Sequence, residues 1–155
     1  MACPQCVVNP RAHSFIKFAQ KDDTGYWYTG AGRADELVNT PEKFGYFRLH
    51  MNEAKQDAHW IWVFDCAGMG TRHYTSIDFM KRLVGALSNE HADILTAIWI
   101  LNPNVWIRAA VALMSPFLNA RLVSKIIFLE STTDFLCRVM DARIFATPWK
   151  TIQRA

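Results

Sequence analysis

Three uninterrupted apolar runs constrain what this chain can fold into: Trp60-Ile61-Trp62-Val63-Phe64, Ala97-Ile98-Trp99-Ile100-Leu101 and Ile126-Ile127-Phe128-Leu129. Each is short and rich in β-branched and aromatic residues. A strand that is apolar at every position has both of its faces covered. Between the runs the apolar spacing changes to that of a helix. Ile77, Met80, Leu83, Val84 and Leu87 recur at helical intervals from Ser76 to about Ser88, behind Ser and Thr capping candidates. Asn102-Pro103-Asn104 forces a turn, after which Val105 to Met114 reads as a strongly apolar helix ended by Pro116. Asn119 caps a short helix through Val123, and a last helix runs from about Thr133 to Met140.

Upstream, Tyr26-Trp27-Tyr28-Thr29 is a strand-favouring run closed by Gly30-Ala31-Gly32. Thr40, Pro41 and Glu42 supply an N-cap, a helix-compatible proline and a first-turn acid, which predicts a helix from Pro41 to about Lys55 with Phe44, Phe47 and Met51 inward. Residues 1–25 are expected to be an irregular or partly helical segment, and 26–155 the domain proper. The β-α-β-α-β-α order predicts an α/β fold with a mainly parallel sheet covered by helices.

A chain of 155 residues with 51% hydrophobic positions fits one domain with a substantial core. Its net charge of +3 is far from the basic balance of a nucleic-acid-binding domain, and its aromatic residues sit within apolar runs rather than among Lys and Arg, so no nucleic-acid partner is expected. The excess positive charge lies in residues 61–155 and suits weak attraction to anionic lipid surfaces. No signal-peptide stretch opens the chain, and Asn102-Pro103-Asn104 with Arg108 interrupts the most lipid-like window, so a cytoplasmic protein peripheral to membranes is expected.

Motifs for chemistry are sparse. Cys3-x-x-Cys6 lacks a second cysteine pair, since Cys66 and Cys137 are isolated, and no His pair shows the spacing of a helical metal site, so no metal is expected. Asp65 and His73 lack a nucleophile to complete an acid–base set, and Asp65 is expected to orient the loop after its strand, with Gly68 and Gly70 permitting the tight path. Neither Gly30-Ala31-Gly32 nor Gly68-Met69-Gly70-Thr71 forms a nucleotide motif. No catalytic residue, enzyme activity or cofactor is expected.

One set of segments resembles a known family. Asp93 before a strand ending in Asn102, the apolar helix after it, Ser115-Pro116-Phe117-Leu118-Asn119, and Val123-Ser124-Lys125-Ile126 entering the next strand resemble the CRAL-TRIO family of the phosphatidylinositol-transfer and retinaldehyde-binding type. Asp65-Cys66-Ala67-Gly68 resembles that family's Asp-x-x-Gly. The chain is similar to a minimal or divergent member, with the usual N-terminal helical lobe absent or shrunk into residues 1–25. The resemblance implies a sheet flooring an apolar pocket, a helical lid and one bound lipid, exchanged or presented at membrane surfaces. It implies Asp93 and Lys125 as lipid head-group ligands, and Trp62, Phe64, Trp99, Leu101, Trp106, Ala110, Leu113 and Phe117 as pocket and lid residues. In this chain the acid is Asp rather than Glu, Leu122 replaces a Thr of the inositol-binding type, and His91-Ala92 replaces Tyr-Pro. The alternative is a module whose pocket is filled by its own side chains and which binds a protein partner.

Overall fold

The computed structural model describes residues 3–8, 13–33, 41–70 and 77–141. In chain order the elements are α1 (Pro4–Val8), β1 (Ile16–Lys21), β2 (Thr24–Gly30), α2 (Pro41–Glu53), β3 (His59–Asp65), α3 (Ile77–Glu90), β4 (Leu95–Leu101), α4 (Val105–Met114), α5 (Ala120–Val123), β5 (Ile126–Leu129) and α6 (Thr132–Asp141). The five strands form one sheet in sequential order, β1 antiparallel to β2 and the rest parallel. The α/β fold with a mainly parallel sheet is therefore as expected.

Within residues 1–25, expected to be irregular or partly helical, the described part holds the helix α1 but also a strand that was not expected. Ile16–Lys21 is an edge strand, joined to β2 by a tight turn in which Asp22 takes a positive φ of 52°. Its period-2 signal is broken by a register shift between Lys17 and Ala19, which leaves the adjacent Phe18 and Ala19 both buried. A bulged strand with two consecutive inward residues does not read as alternation. The candidate caps Thr40 and Ser76, together with His73, lie outside the described residues.

Sequential strand order with right-handed crossovers carries successive helices to the same face of a sheet. Side chains of α2, α3 and α4 pack with Trp27, Trp60, Trp62, Ile98 and Ile100 on one face. Helix α6 covers the other face, where Phe135 and Val139 meet Tyr26, Tyr28, Ile61, Val63, Trp99 and Leu101. A second irregularity sets this division: Trp60 pairs with Leu95 but Ile61 with Ala97, so Thr96 bulges and Leu95 joins the face of Trp60 and Ile98.

Two buried carboxylates tie the strands together. Asp65 accepts from the Tyr28 hydroxyl (2.7 Å), the Ala67 amide (3.0 Å) and the Asn102 side chain (3.2 Å), which holds the turn after β3, where Gly68 has φ 76°. Asp57 accepts from Lys17 Nζ (2.6 Å) and Trp27 Nε1 (3.0 Å), and a Cβ at Gly25 would lie 2.0 Å from its Oδ2. That approach requires the glycine.

Candidate functional site

Between the helix-covered face and α4 lies a cavity of about 160 Å³, and every residue lining it is apolar. Trp62, Phe64, Ile98, Ile100 and Ile126 form its floor, while Phe47, Leu83, Val84 and Leu87 come from α2 and α3. Trp62 keeps its one polar atom satisfied by donating Nε1 to Thr29 Oγ1 at 2.8 Å, so only its ring is presented to the cavity. Met69, Met80 and Met114 add flexible, adaptable walls.

Helix α4 walls the half-open cavity with Ile107, Ala110, Val111 and Met114, which fall at the three- and four-residue spacing of one helix face. Its opposite face is also apolar. Val105 is 69% exposed, Trp106 36% and Leu113 47%, and Phe117 just beyond the helix is 53% exposed. A helix that is apolar on both faces but covered on one has a second environment to meet. Few polar bonds hold it. Asn104 Oδ1 caps its first turn, accepting from Trp106 N (3.0 Å) and Ile107 N (3.1 Å), while Asn104 Nδ2 donates to Met69 O at 2.9 Å. Arg108 donates to Glu130 at 2.6 Å and lies over the Phe128 ring, and Lys81 lies over Phe117. The Arg108–Glu130 pair is exposed, so its contribution is at most about 1 kcal/mol. The turn before α4 carries Asn102 with φ 51°, a conformation open mainly to Gly, Asn and Asp.

Of the expected pocket and lid residues, Trp62, Phe64 and Ala110 line the cavity, whereas Trp106, Leu113 and Phe117 lie on the exposed side of α4 and the turn after it. Trp99 and Leu101 are corrected: both point to the opposite face, against α6 and β5. The cause is register. Trp62 pairs with Ile98 and Phe64 with Ile100, so Ile98 and Ile100 of β4 face the cavity. A run that is apolar throughout contains no signal of which parity faces which layer.

Asp93 and Lys125 lie in the turns that enter β4 and β5, but they do not pair with each other. Asp93 Oδ1 is 3.0 Å from Arg121, and both side chains are largely exposed. Lys125 Nζ donates to Ala92 O at 2.6 Å. Burial, then the neighbouring Arg121 charge, lowers the Lys125 pKa, opposed by Asp93. Sequence reasoning missed Arg121, whose position one turn before Lys125 in α5 is the signal that was available. Leu122, in place of the Thr, lines the cavity between them.

Behind this turn His91 is fully buried against Trp60, with ring centroids 5.3 Å apart, and neither ring nitrogen has a hydrogen-bond partner. Burial first, then the charges of Lys55 and Arg48 against that of Glu90, lowers its pKa to about 4, so the ring is neutral near pH 7. Cys66 beside Asp65 is likewise inert: burial and the Asp65 charge push its thiol up to about 12. Cys66 and Cys137 stand apart from Cys3-x-x-Cys6, but the fold brings His13 and His50 to it, which the spacing of the histidines did not reveal.

A floor of parallel strands, an apolar cavity and an apolar covering helix make a site suited to a hydrophobic ligand. The CRAL/TRIO domain profile matches residues 21–149, and the chain belongs to this family of lipid-binding and lipid-transfer domains, which are generally not enzymes. Among solved structures it is similar to the crystal structure of Sfh5, with a TM-score of 0.68 over 92% of this chain at 14% identity. The chain spans about half of that relative, 55% of its length. No match is found among curated proteins. Among the described residues no helix is long and apolar enough to cross a membrane.

Proposed function

We propose that this chain holds one hydrophobic lipid or phospholipid with its apolar part behind α4, and exchanges or presents it at membrane surfaces by swinging α4 outward. The observation that carries this reading is the pair of apolar faces on α4, one on a cavity and one on solvent. Volume sets the mechanism. An apolar cavity of about 150 Å³ accommodates a benzene-sized molecule. The half-open space of about 160 Å³ is therefore too small for a whole lipid, and loading requires α4 to move outward. Hinges at Asn102-Pro103-Asn104 and Ser115-Pro116 bracket the moving helix, and Val105, Trp106 and Leu113 enter the lipid interface as it opens.

Asp93 and Lys125, joined by Arg121, supply the head-group end. An anionic head group meets two cations there, and can replace Asp93 on Arg121 and Ala92 O on Lys125. The site works as a peripheral membrane protein on the cytoplasmic side, without enzyme activity or a cofactor. Leu122 offers no hydroxyl where the inositol-binding type has one, so phosphatidylinositol is one candidate among anionic and neutral lipids.

The test is transfer of fluorescent phosphatidylcholine and phosphatidylinositol between liposomes by the wild-type chain and Trp106→Asp. Trp106 is part-exposed on the lid, so the fold should persist, as checked by circular dichroism, while transfer falls to background. Unchanged transfer would remove α4 from the mechanism. The competing reading, a protein-interaction module, rests on the same exposed Val105, Trp106, Leu113 and Phe117. It would be favoured by a chain that neither copurifies with lipid nor acquires it from liposomes.

A further inference from the structure

Four side chains with metal-binding atoms meet away from the cavity, where the N-terminal segment crosses the end of α2. Cys3 precedes α1 and Cys6 lies within it, His13 stands just before β1, and His50 is in the last turn of α2. One ligand atom from each lies within 4.8 Å of all the others. Cys3 Sγ is 3.7 Å from His13 Nδ1, Cys6 Sγ is 3.4 Å from the same nitrogen, and Cys6 Sγ is 3.3 Å from His50 Nε2.

These distances have the scale of a coordination tetrahedron. Zinc bonds of about 2.3 Å to sulfur and about 2.05 Å to nitrogen give edges of about 3.5 Å between sulfur and nitrogen and about 3.8 Å between sulfurs. The three sulfur–nitrogen contacts bracket the first value. Hydrogen bonding accounts for them less well, since two weak thiol donors would share one His13 nitrogen. The thiols are not joined in a disulfide. Cys3 and His13 are buried, and Cys6 and His50 are half-buried.

An outer partner is present too. Nδ1 of His50 lies 3.5 Å from Glu53 Oε1, one turn further along the chain. A carboxylate on the second ring nitrogen fixes the imidazole so that Nε2 is free to ligate. Two sulfurs and two imidazoles suit zinc and disfavour magnesium or calcium, and four protein ligands leave no open position for a reacting water.

We propose that Cys3, Cys6, His13 and His50 hold one Zn²⁺ through Sγ, Sγ, Nδ1 and Nε2, as a structural clamp joining α1 and the start of β1 to α2. Two thiol protons leave to solvent as the two Zn–S bonds form, and the bound ion is then neutralised by two thiolates. Helix α2 also supplies Phe47 to the cavity wall, and His13 lies against Phe47 with ring centroids 6.2 Å apart, so the clamp fixes one wall of the cavity.

The experiment uses the full chain, untagged and purified under reducing conditions, with metal per chain measured by mass spectrometry and the site probed with Co²⁺. The expected result is one zinc per chain, replaceable by Co²⁺ with the sulfur-to-cobalt ultraviolet band and strong visible absorption of a tetrahedral thiolate site. Chelation should lower the melting temperature and added Zn²⁺ restore it. Cys6→Ser and His50→Gln should each lose the cobalt bands, Glu53→Gln should weaken metal affinity about tenfold, and Cys66→Ser with Cys137→Ser should retain the full spectrum. Should the ligand variants fail to fold, the wild-type Co²⁺ titration decides alone. Absence of the sulfur-to-cobalt band there, or its persistence in a folded Cys6→Ser, His50→Gln double variant, would overturn the proposal.

Discussion

The two faces of the sheet are built from the same strands but finished differently. On the face covered by α6, Phe135 and Val139 are fully buried among Phe18, Tyr26, Trp99 and Leu101, and the aromatic rings meet edge-on or tilted at 6.0–6.4 Å between centroids. On the other face α2 and α3 pack closely over Trp60 and Phe15, but the layer opens towards β4 and β5, where the cavity lies beneath α4. One helix and complementary rings close a face. Three helices in series leave the last one with few polar bonds to hold it, and that is where the proposed lipid would enter. The fold is stabilised on one side and made adjustable on the other.

The comparison predicts unequal costs of truncation. Phe135→Ala removes a fully buried ring from the closed face and should destabilise the protein by about 3–5 kcal/mol in urea unfolding. Leu83→Ala, at a half-buried position already bordering empty space, should cost less than about 2 kcal/mol. Equal costs would mean that the two faces are equally packed, and the contrast would fail.

A second prediction concerns the closed end of the helix-covered face. His91 is neutral in the folded chain down to about pH 4, whereas an unfolded histidine protonates near 6.5. Above 6.5 both states are neutral and the histidine is without effect. Between 6.5 and about 4 only the unfolded chain takes up the proton, so stability falls with pH, and below about 4 the loss levels off. The shift corresponds to about 3 kcal/mol lost across that window. Urea unfolding at stepped pH should show this slope, and His91→Leu should flatten it. A slope unchanged in His91→Leu would place the acid sensitivity elsewhere.

How much was legible in the sequence follows the same division. The strands of Trp60–Phe64, Ala97–Leu101 and Ile126–Leu129 and the limits of α4 were readable because continuous apolarity and the Asn-Pro-Asn and Ser-Pro breaks are local signals. The exposed side of α4 was readable for the same reason, since a helix apolar all round lacks a solvent face. Strand β1 was not, because its bulge at Lys17–Ala19 destroys alternation. Nor was the orientation of β4: whether Ile98 or Trp99 faces the cavity depends on pairing with Trp62, a long-range fact. The grouping of Cys3 and Cys6 with His13 and His50 has the same cause, because only the folded chain carries the end of α2 back to α1.

The smallest expected effect on stability is the most informative about function. Ala110 faces the cavity from the middle of α4, and leucine has nearly the helix propensity of alanine. Ala110→Leu therefore places new apolar atoms in existing space, and filling such a cavity commonly adds about 0.5–2 kcal/mol. If the void is the ligand site, the same change should reduce lipid uptake from liposomes, so stability and uptake move in opposite directions. A variant that is more stable and still loads lipid at the wild-type rate would show that the lipid lies elsewhere. Lower stability with reduced uptake would show that the closed face's close packing extends under α4, and that the opening is a narrow seam rather than a site.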